Sequence, residues 1–180
     1  MVIIDNQNIY CQLAKQAIKN YLEHGNAPAT PQNLPEHFYT KKCGVFVTIK
    51  KGDQLRGCIG TYLPTKENLP QEIIDNAIAA AVRDNRFDPV ELHELDHLTF
   101  EVSLLNEPEQ ILDLENHDPK KHGLIVKSVD YQYKTGLLLP DLDGIDTPQE
   151  QFLICCQKAG INPAKENVEM YRFEVEKYTE

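Results

Sequence analysis

From Asn8 to His24 the apolar residues Ile9, Tyr10, Leu13, Ala14, Ala17, Ile18, Tyr21 and Leu22 return every three or four positions, which predicts a helix with one buried stripe. Gly25 stands where such a helix stops. Residues 26–39 carry Pro28, Pro31 and Pro35 without any period, and are expected to run as an extended surface loop. Val45, Val47 and Ile49 then alternate with Phe46, Thr48 and Lys50. After Lys51-Gly52-Asp53 a second alternating run, Leu55, Gly57 and Ile59, completes the pattern of a β-hairpin. Thr65 to Asp84 reads as a helix, with Pro70 at a first helical position and Ile73, Ile74, Ala77, Ile78, Ala81 and Val82 on its buried face. Leu98, Phe100, Val102 and Leu104 form the clearest half-buried strand. Two more strands are expected over 123–129 and 131–139. Thr147, Pro148 and Gly160 frame a short helix, and Tyr171, Phe173 and Val175 alternate as a last strand. Short links and few βαβ units predict an α+β fold, a largely antiparallel sheet flanked by helices.

Composition narrows the function. The chain has 180 residues, 41% of them apolar, enough for one packed domain. Its 28 acidic against 18 basic residues give a charge of -10, which disfavours a sequence-independent grip on nucleic acid or an anionic membrane surface. An RNA-associated role would need the basic residues to cluster. No apolar run approaches the roughly 20 residues of a membrane span. Five cysteines cannot all pair, and none sits at C-x-x-C spacing. No cleavable leader is expected, since Met1-Val2-Ile3-Ile4-Asp5 runs straight into polar sequence. A cytoplasmic chain with reduced thiols is expected, with no cofactor implied.

Four stretches carry candidate chemistry. His93-Glu94-Leu95-Asp96-His97 fits H-E-x-x-H, which binds zinc when both imidazoles lie on one sustained helix. Pro89 just upstream and the strand just downstream leave room for one or two turns, so a solvated polar turn is expected and no metal site. In Leu55-Arg56-Gly57-Cys58-Ile59-Gly60, strand alternation turns Leu55 and Ile59 to the core and sets Arg56 and Cys58 together on the other face. A guanidinium beside a thiol favours the reactive thiolate; the plainer reading is a compact buried cysteine with Arg56 paired to a carboxylate. Gly57 and Gly60 suggest a bulge or a close approach by backbone or ligand. Arg83-Asp84-Asn85-Arg86-Phe87-Asp88-Pro89 suits an ion-pair cluster or an anion site. His122 precedes Gly123 at the start of a strand and is a candidate base for Cys58, if the two meet. Cys155 and Cys156 read as helix packing.

Val45-Phe46-Val47-Thr48-Ile49-Lys50 followed by Leu55-Arg56-Gly57-Cys58-Ile59-Gly60 resembles the signature of the AMMECR1 domain family. The likeness continues in order through 76–81, Asp84 to Pro89 (D-x-R-F-x-P), Glu101-Val102-Ser103-Leu104-Leu105, Gly136-Leu137-Leu138-Leu139-Pro140 and Tyr171-Arg172-Phe173-Glu174-Val175. Asp141 to Thr147 departs from the family's more usual Gln-Val continuation. The resemblance implies a single domain over 1–180 with a smaller second lobe and a cleft near the Leu55–Gly60 motif. In that setting Cys58, Arg56 and His122 are the catalytic candidates, and Gly57, Gly60, Asp84, Arg86 and Glu101 the binding ones. It also implies Memo-like partners of extradiol-dioxygenase fold and radical-SAM partners, but supplies no reaction. Two functions follow as expectations: an enzyme component in which Arg56 orients an anionic group of a small molecule and Cys58 reacts, or a non-catalytic adaptor for those partners.

Overall fold

The computed structural model describes residues 9–180; the N-terminal run read above as lacking a leader, and Asn8, lie outside the described residues. The chain divides into two compact units, one running up to Leu104 and including Glu176–Glu180, the other spanning Leu105–Val175.

The first unit begins with helix α1 (Ile9–His24), whose stripe of Ile9, Tyr10, Leu13, Ala14, Ala17 and Ile18 is buried as its period requires. Gly25 ends it at φ 77, a left-handed position open to glycine without strain. The proline-rich segment is not wholly extended: it contains a one-turn helix, α2 (His37–Thr40). Burial explains the turn, because Phe38 is fully enclosed and stacks on Tyr10 at 4.7 Å. The hairpin follows as β1 (Gly44–Lys51) and β2 (Gln54–Thr61). Helix α3 (Leu69–Val82) starts later than the pattern suggests, where the Asn68 side chain caps the Gln71 N–H and Pro70 fits the first turn. A 3₁₀ turn (Leu92–His97) leads into β3 (Thr99–Leu105). Val45, Val47, Ile49, Phe100, Val102 and Leu104 face α1 and α3 in one core.

The second unit contains β4 (Glu109–Ile111), β5 (Gly123–Ser128), β6 (Thr135–Leu138), helix α4 (Pro148–Ala159) and β7 (Val168–Phe173). Helix α4 has the expected ends: a Thr147–Glu150 capping box and Gly160 in the left-handed region at φ 64. Strand β6 is shorter than 131–139 because Tyr131–Lys134 closes a turn. Its core joins Leu124, Val126, Leu138, Cys155 and Cys156. The last strand, β8 (Val175–Thr179), pairs in the first unit. The C-terminal alternation is thus two strands in two sheets, ordered β2-β1-β3-β8 and β4-β7-β5-β6. The α+β class and antiparallel pairing stand, with the strands divided between two sheets. Among the described residues no helix is long and apolar enough to cross a membrane.

Candidate functional site

Strand β2 lies at the edge of its sheet, and its register against β1 slips at one point. Thr48 pairs with Cys58 and Ile49 with Gly57, but Lys50 pairs with Leu55, which leaves Arg56 as an extra residue. Such a bulge re-aims the side chain it carries. The strict alternation of the sequence reading therefore fails here. Leu55 does not enter the core; it is 41% exposed. Nor does Arg56 share a face with Cys58. The thiol stays with Thr48 on the side away from α3, while the guanidinium turns toward Asp88, Pro89 and Glu94. Gly57 faces α3 so closely that a Cβ would lie 2.2 Å from the Ala80 carbonyl oxygen, and at Gly60 a Cβ would meet the Phe46 ring at 2.3 Å. The close approach these glycines permit is made by the protein itself.

Four of the five guanidinium N–H groups of Arg56 are bound. Nε and Nη2 donate to the two oxygens of Glu94 at 3.2 and 2.8 Å, Nη1 donates to the Asp88 carbonyl at 2.8 Å, and Nη2 to that of Pro89 at 3.3 Å. Both side chains are nearly covered, at 15% and 11% exposure. The Arg56 fork holds the Glu94 carboxyl far below the ordinary carboxylate range, at about 2. Glu94 is the glutamate of the H-E-x-x-H stretch, so the residue that fits a metalloprotease base serves as the counterion of Arg56. His93 itself contacts Glu91 at 3.1 Å in the open, and a turn of three residues does not stack positions four apart. Among the described residues no group of three or more His, Cys, Asp or Glu is placed to hold a metal ion.

The backbone of Cys58 is clamped from outside the sheet. Its N–H donates to Asp84 Oδ2 at 2.9 Å, and its carbonyl accepts from Arg86 Nη2 at 3.2 Å. Arg86 in turn forks onto Asp84 at 2.7 and 2.9 Å. The pair thus takes the place of a neighbouring strand along the outward-facing groups of β2. Hydrogen bonding from Arg86 brings Asp84 down to about 2. The thiol sits 3.3 Å from the Thr48 hydroxyl. Burial pushes its pKa up; the Thr48 bond and the Arg86 charge oppose this, and Asp84 and Glu101 add to it. The cation acting on the thiol is Arg86, not Arg56. Glu101 itself is paired with Lys50 at 3.4 Å and Lys177 at 3.6 Å. Cys11, Cys43, Cys155 and Cys156 are buried and Cys58 is partly exposed; burial pushes Cys11 and Cys155 up to about 12 and Cys43 to about 11.

The structure gathers Arg56, Cys58, Asp84, Arg86 and Glu101 around β2. His122 belongs to the second unit, where Nδ1 accepts the Asp118 N–H at 3.3 Å and Nε2 lies 3.8 Å from Glu174. Sequence reasoning missed Glu72, fully enclosed in the first turn of α3. Its carboxylate accepts from Thr61 Oγ1 at 2.6 Å, Thr65 N at 2.7 Å, Thr65 Oγ1 at 2.9 Å and Lys66 N at 2.8 Å, pinning the segment that follows β2. An acid two residues past the helix-starting Pro70, with two threonines just upstream, was the available signal.

A protein of Thermotoga maritima is 48% identical to the chain over 170 residues, covering 94% of this chain and 96% of that one. A longer protein of Clostridium acetobutylicum is 41% identical over 172 residues, taking in 95% of this chain and 36% of that protein. The crystal structure of an uncharacterised protein from Pyrococcus horikoshii aligns with a TM-score of 0.85 at 35% identity, covering 95% of this chain and 89% of that one. The profile of the AMMECR1 family matches residues 11–178, and the chain belongs to that family.

Proposed function

We propose that this AMMECR1 domain is a cytoplasmic, non-catalytic binding module whose β1–β2 hairpin is a rigid recognition element. The observation that carries the reading is the engagement of Arg56: its guanidinium is bound to Glu94 and two backbone carbonyls, so it holds the hairpin rather than a substrate. The clamp on Cys58 serves the same end, and the bulge leaves Leu55 exposed beside the Lys51-Gly52-Asp53 turn as a fixed apolar contact. The partners are the Memo-like and radical-SAM proteins that the family resemblance implies. Co-purification of each partner with the full chain tests this. Leu55→Glu should abolish capture without lowering Tm, and Cys58→Ser should leave it intact. Capture that survives Leu55→Glu, or is absent with both partners, refutes the adaptor.

One observation favours a catalytic reading: Cys58 alone among the five cysteines is partly exposed, with Arg86 and Thr48 beside it. In that reading the thiol attacks an electrophilic small molecule and Arg86 takes over the anion-orienting role first assigned to Arg56. It requires Cys58 to react with iodoacetamide at neutral pH faster than a free cysteine. Slower reaction refutes it.

A further inference from the structure

The strand order β2-β1-β3-β8 leaves β2 and β8 as the edges of the first sheet, and the chain treats them differently. At β2 the outward N–H and C=O of Cys58 are taken up by Asp84 and Arg86. At β8 the ladder to β3 runs through the even-numbered residues: the Asn106 N–H donates to the Glu174 carbonyl at 3.0 Å, and the Glu180 N–H donates to the Phe100 carbonyl at 3.3 Å. The later residue of one strand meets the earlier residue of the other, so the pair is antiparallel, and alternation turns the backbone groups of Val175, Lys177 and Thr179 away from β3. None of those groups meets a partner among the described residues. No residue of β8 is buried. An edge of this kind is a template for an added strand.

The side chains along β8 define which strand fits. Glu176 is held by Lys41 at 3.1 Å and Lys177 by Glu101 at 3.6 Å, so both charges are answered within the protein. Glu174 and Glu180, at the two ends of the edge, are exposed. Glu174 has only His122 Nε2 at 3.8 Å, and no Lys or Arg among the described residues forms an ion pair with either. A second copy of the chain is a poor occupant. The antiparallel registers that match the outward groups set Lys177 against Lys177, Glu176 against Glu176, or Glu176 against Glu180, and like charges directly opposite are destabilising. We propose that β8 takes up an extended segment of another protein as an added strand, through backbone hydrogen bonds to Val175, Lys177 and Thr179, with a basic side chain at each end facing Glu174 and Glu180. This surface is separate from the β1–β2 hairpin and adds a second binding role to the recognition described above.

The probe is the peptide acetyl-Arg-Val-Thr-Val-Thr-Val-Arg-amide, titrated into the full chain by calorimetry. One control replaces both arginines by glutamate. The other N-methylates the three valine amides, which keeps the charge and removes the donors of the ladder. The arginine peptide should bind about tenfold or more tighter than either control. Once bound, it should slow amide exchange at Val175, Lys177 and Thr179 about tenfold, read by NMR, which a purely electrostatic association would not do. Lys177→Pro removes one outward N–H at an edge position that tolerates proline, so it should keep a cooperative unfolding transition while weakening the arginine peptide about tenfold. Equal binding of either control, no saturable binding of the arginine peptide, or binding that leaves the three amides unprotected each overturn the proposal. Protection of those amides before any peptide is added means that the edge is already covered, by the chain itself or by a second copy, and also overturns it. If Lys177→Pro does not fold, the N-methylated peptide and the exchange rates decide the matter alone.

Discussion

Replacing Arg56 by Met keeps the side chain's reach and removes the guanidinium donors that tie β2 to Asp88, Pro89 and Glu94, leaving the Asp84–Arg86 clamp on Cys58 in place. Glu94, 11% exposed, is then left with the Glu91 N–H at 3.0 Å and Lys51 at 3.5 Å, and the Asp88 and Pro89 carbonyls lose their guanidinium partner. Breaking a fully buried pair costs ~3–5 kcal/mol; an exposed pair is worth ~0–1 kcal/mol. This nearly covered but shallow pair falls between, at about 2 kcal/mol, or roughly 4–8 °C in Tm for a chain of this size. The pH dependence gives a separate reading. Glu94 is held at about 2, below the ordinary value near 4.3. Its contribution is fully present above pH ~4.3 and is lost as pH falls toward 2. Urea titrations of the wild type, Arg56→Met, Glu94→Gln and the double variant between pH 7 and 2.5 measure both effects. A coupling near 2 kcal/mol at pH 7 that fades below pH 4 is expected. A coupling under ~0.5 kcal/mol at pH 7 would refute the argument, because the guanidinium would then be loosely held and available to a ligand.

Other consequences follow from the same strand. Gly57→Ala drives a methyl into the Ala80 carbonyl and should cost about 1–3 kcal/mol in urea unfolding; a neutral result would mean that α3 moves away freely. Asp84→Asn removes the charge that holds Arg86 and should speed amide exchange at Cys58 by about tenfold, read by NMR, with less effect at Ile49. Iodoacetamide labelling followed by mass spectrometry should modify Cys58 ahead of Cys11 and Cys155. Its rate at neutral pH should stay below that of a free cysteine and keep rising above pH ~8.5, since burial raises the thiol.

Element type was legible wherever burial imposed a period. Helix α1, the β1–β2 pair, β3 and the caps of α4 follow directly from spacing, because one face of each packs on a core and the other does not. What alternation does not encode is where it breaks. The extra residue at Arg56 is invisible to a two-residue period, yet it moves Leu55 to the surface and separates Arg56 from Cys58. Likewise the run through Tyr171, Phe173 and Val175 keeps its rhythm while the chain passes from one sheet to the other at Glu174. The cluster around β2 was legible only in part as residues, since His122 belongs to the second unit and Glu94 was expected in a solvated turn, and not at all as pairs. Arg56 and Glu94 are 38 positions apart and Cys58 and Asp84 are 26 apart, and nothing local to either stretch names the other.

Those pairings recast three separate sequence patterns as one device. An edge strand that carries two glycines and a bulge is poorly ordered by its own backbone, and it offers outward-facing N–H and C=O groups to any passing strand. In this chain the D-x-R of Asp84–Arg86 occupies those groups at Cys58, and the glutamate of the H-E-x-x-H stretch fixes the bulged Arg56. Taken singly, the motifs read as a thiol beside an arginine, an ion-pair cluster or anion site, and a polar turn that matches H-E-x-x-H without its helix. Taken together, the acids and bases neutralise one another at close range, which leaves the hairpin stiff, with Leu55 exposed beside the exposed Lys51–Gln54 turn and Cys58 partly exposed. A surface with that distribution recognises shape more readily than it transforms a substrate, and variants at Leu55 and at Arg56 should accordingly separate recognition from stability.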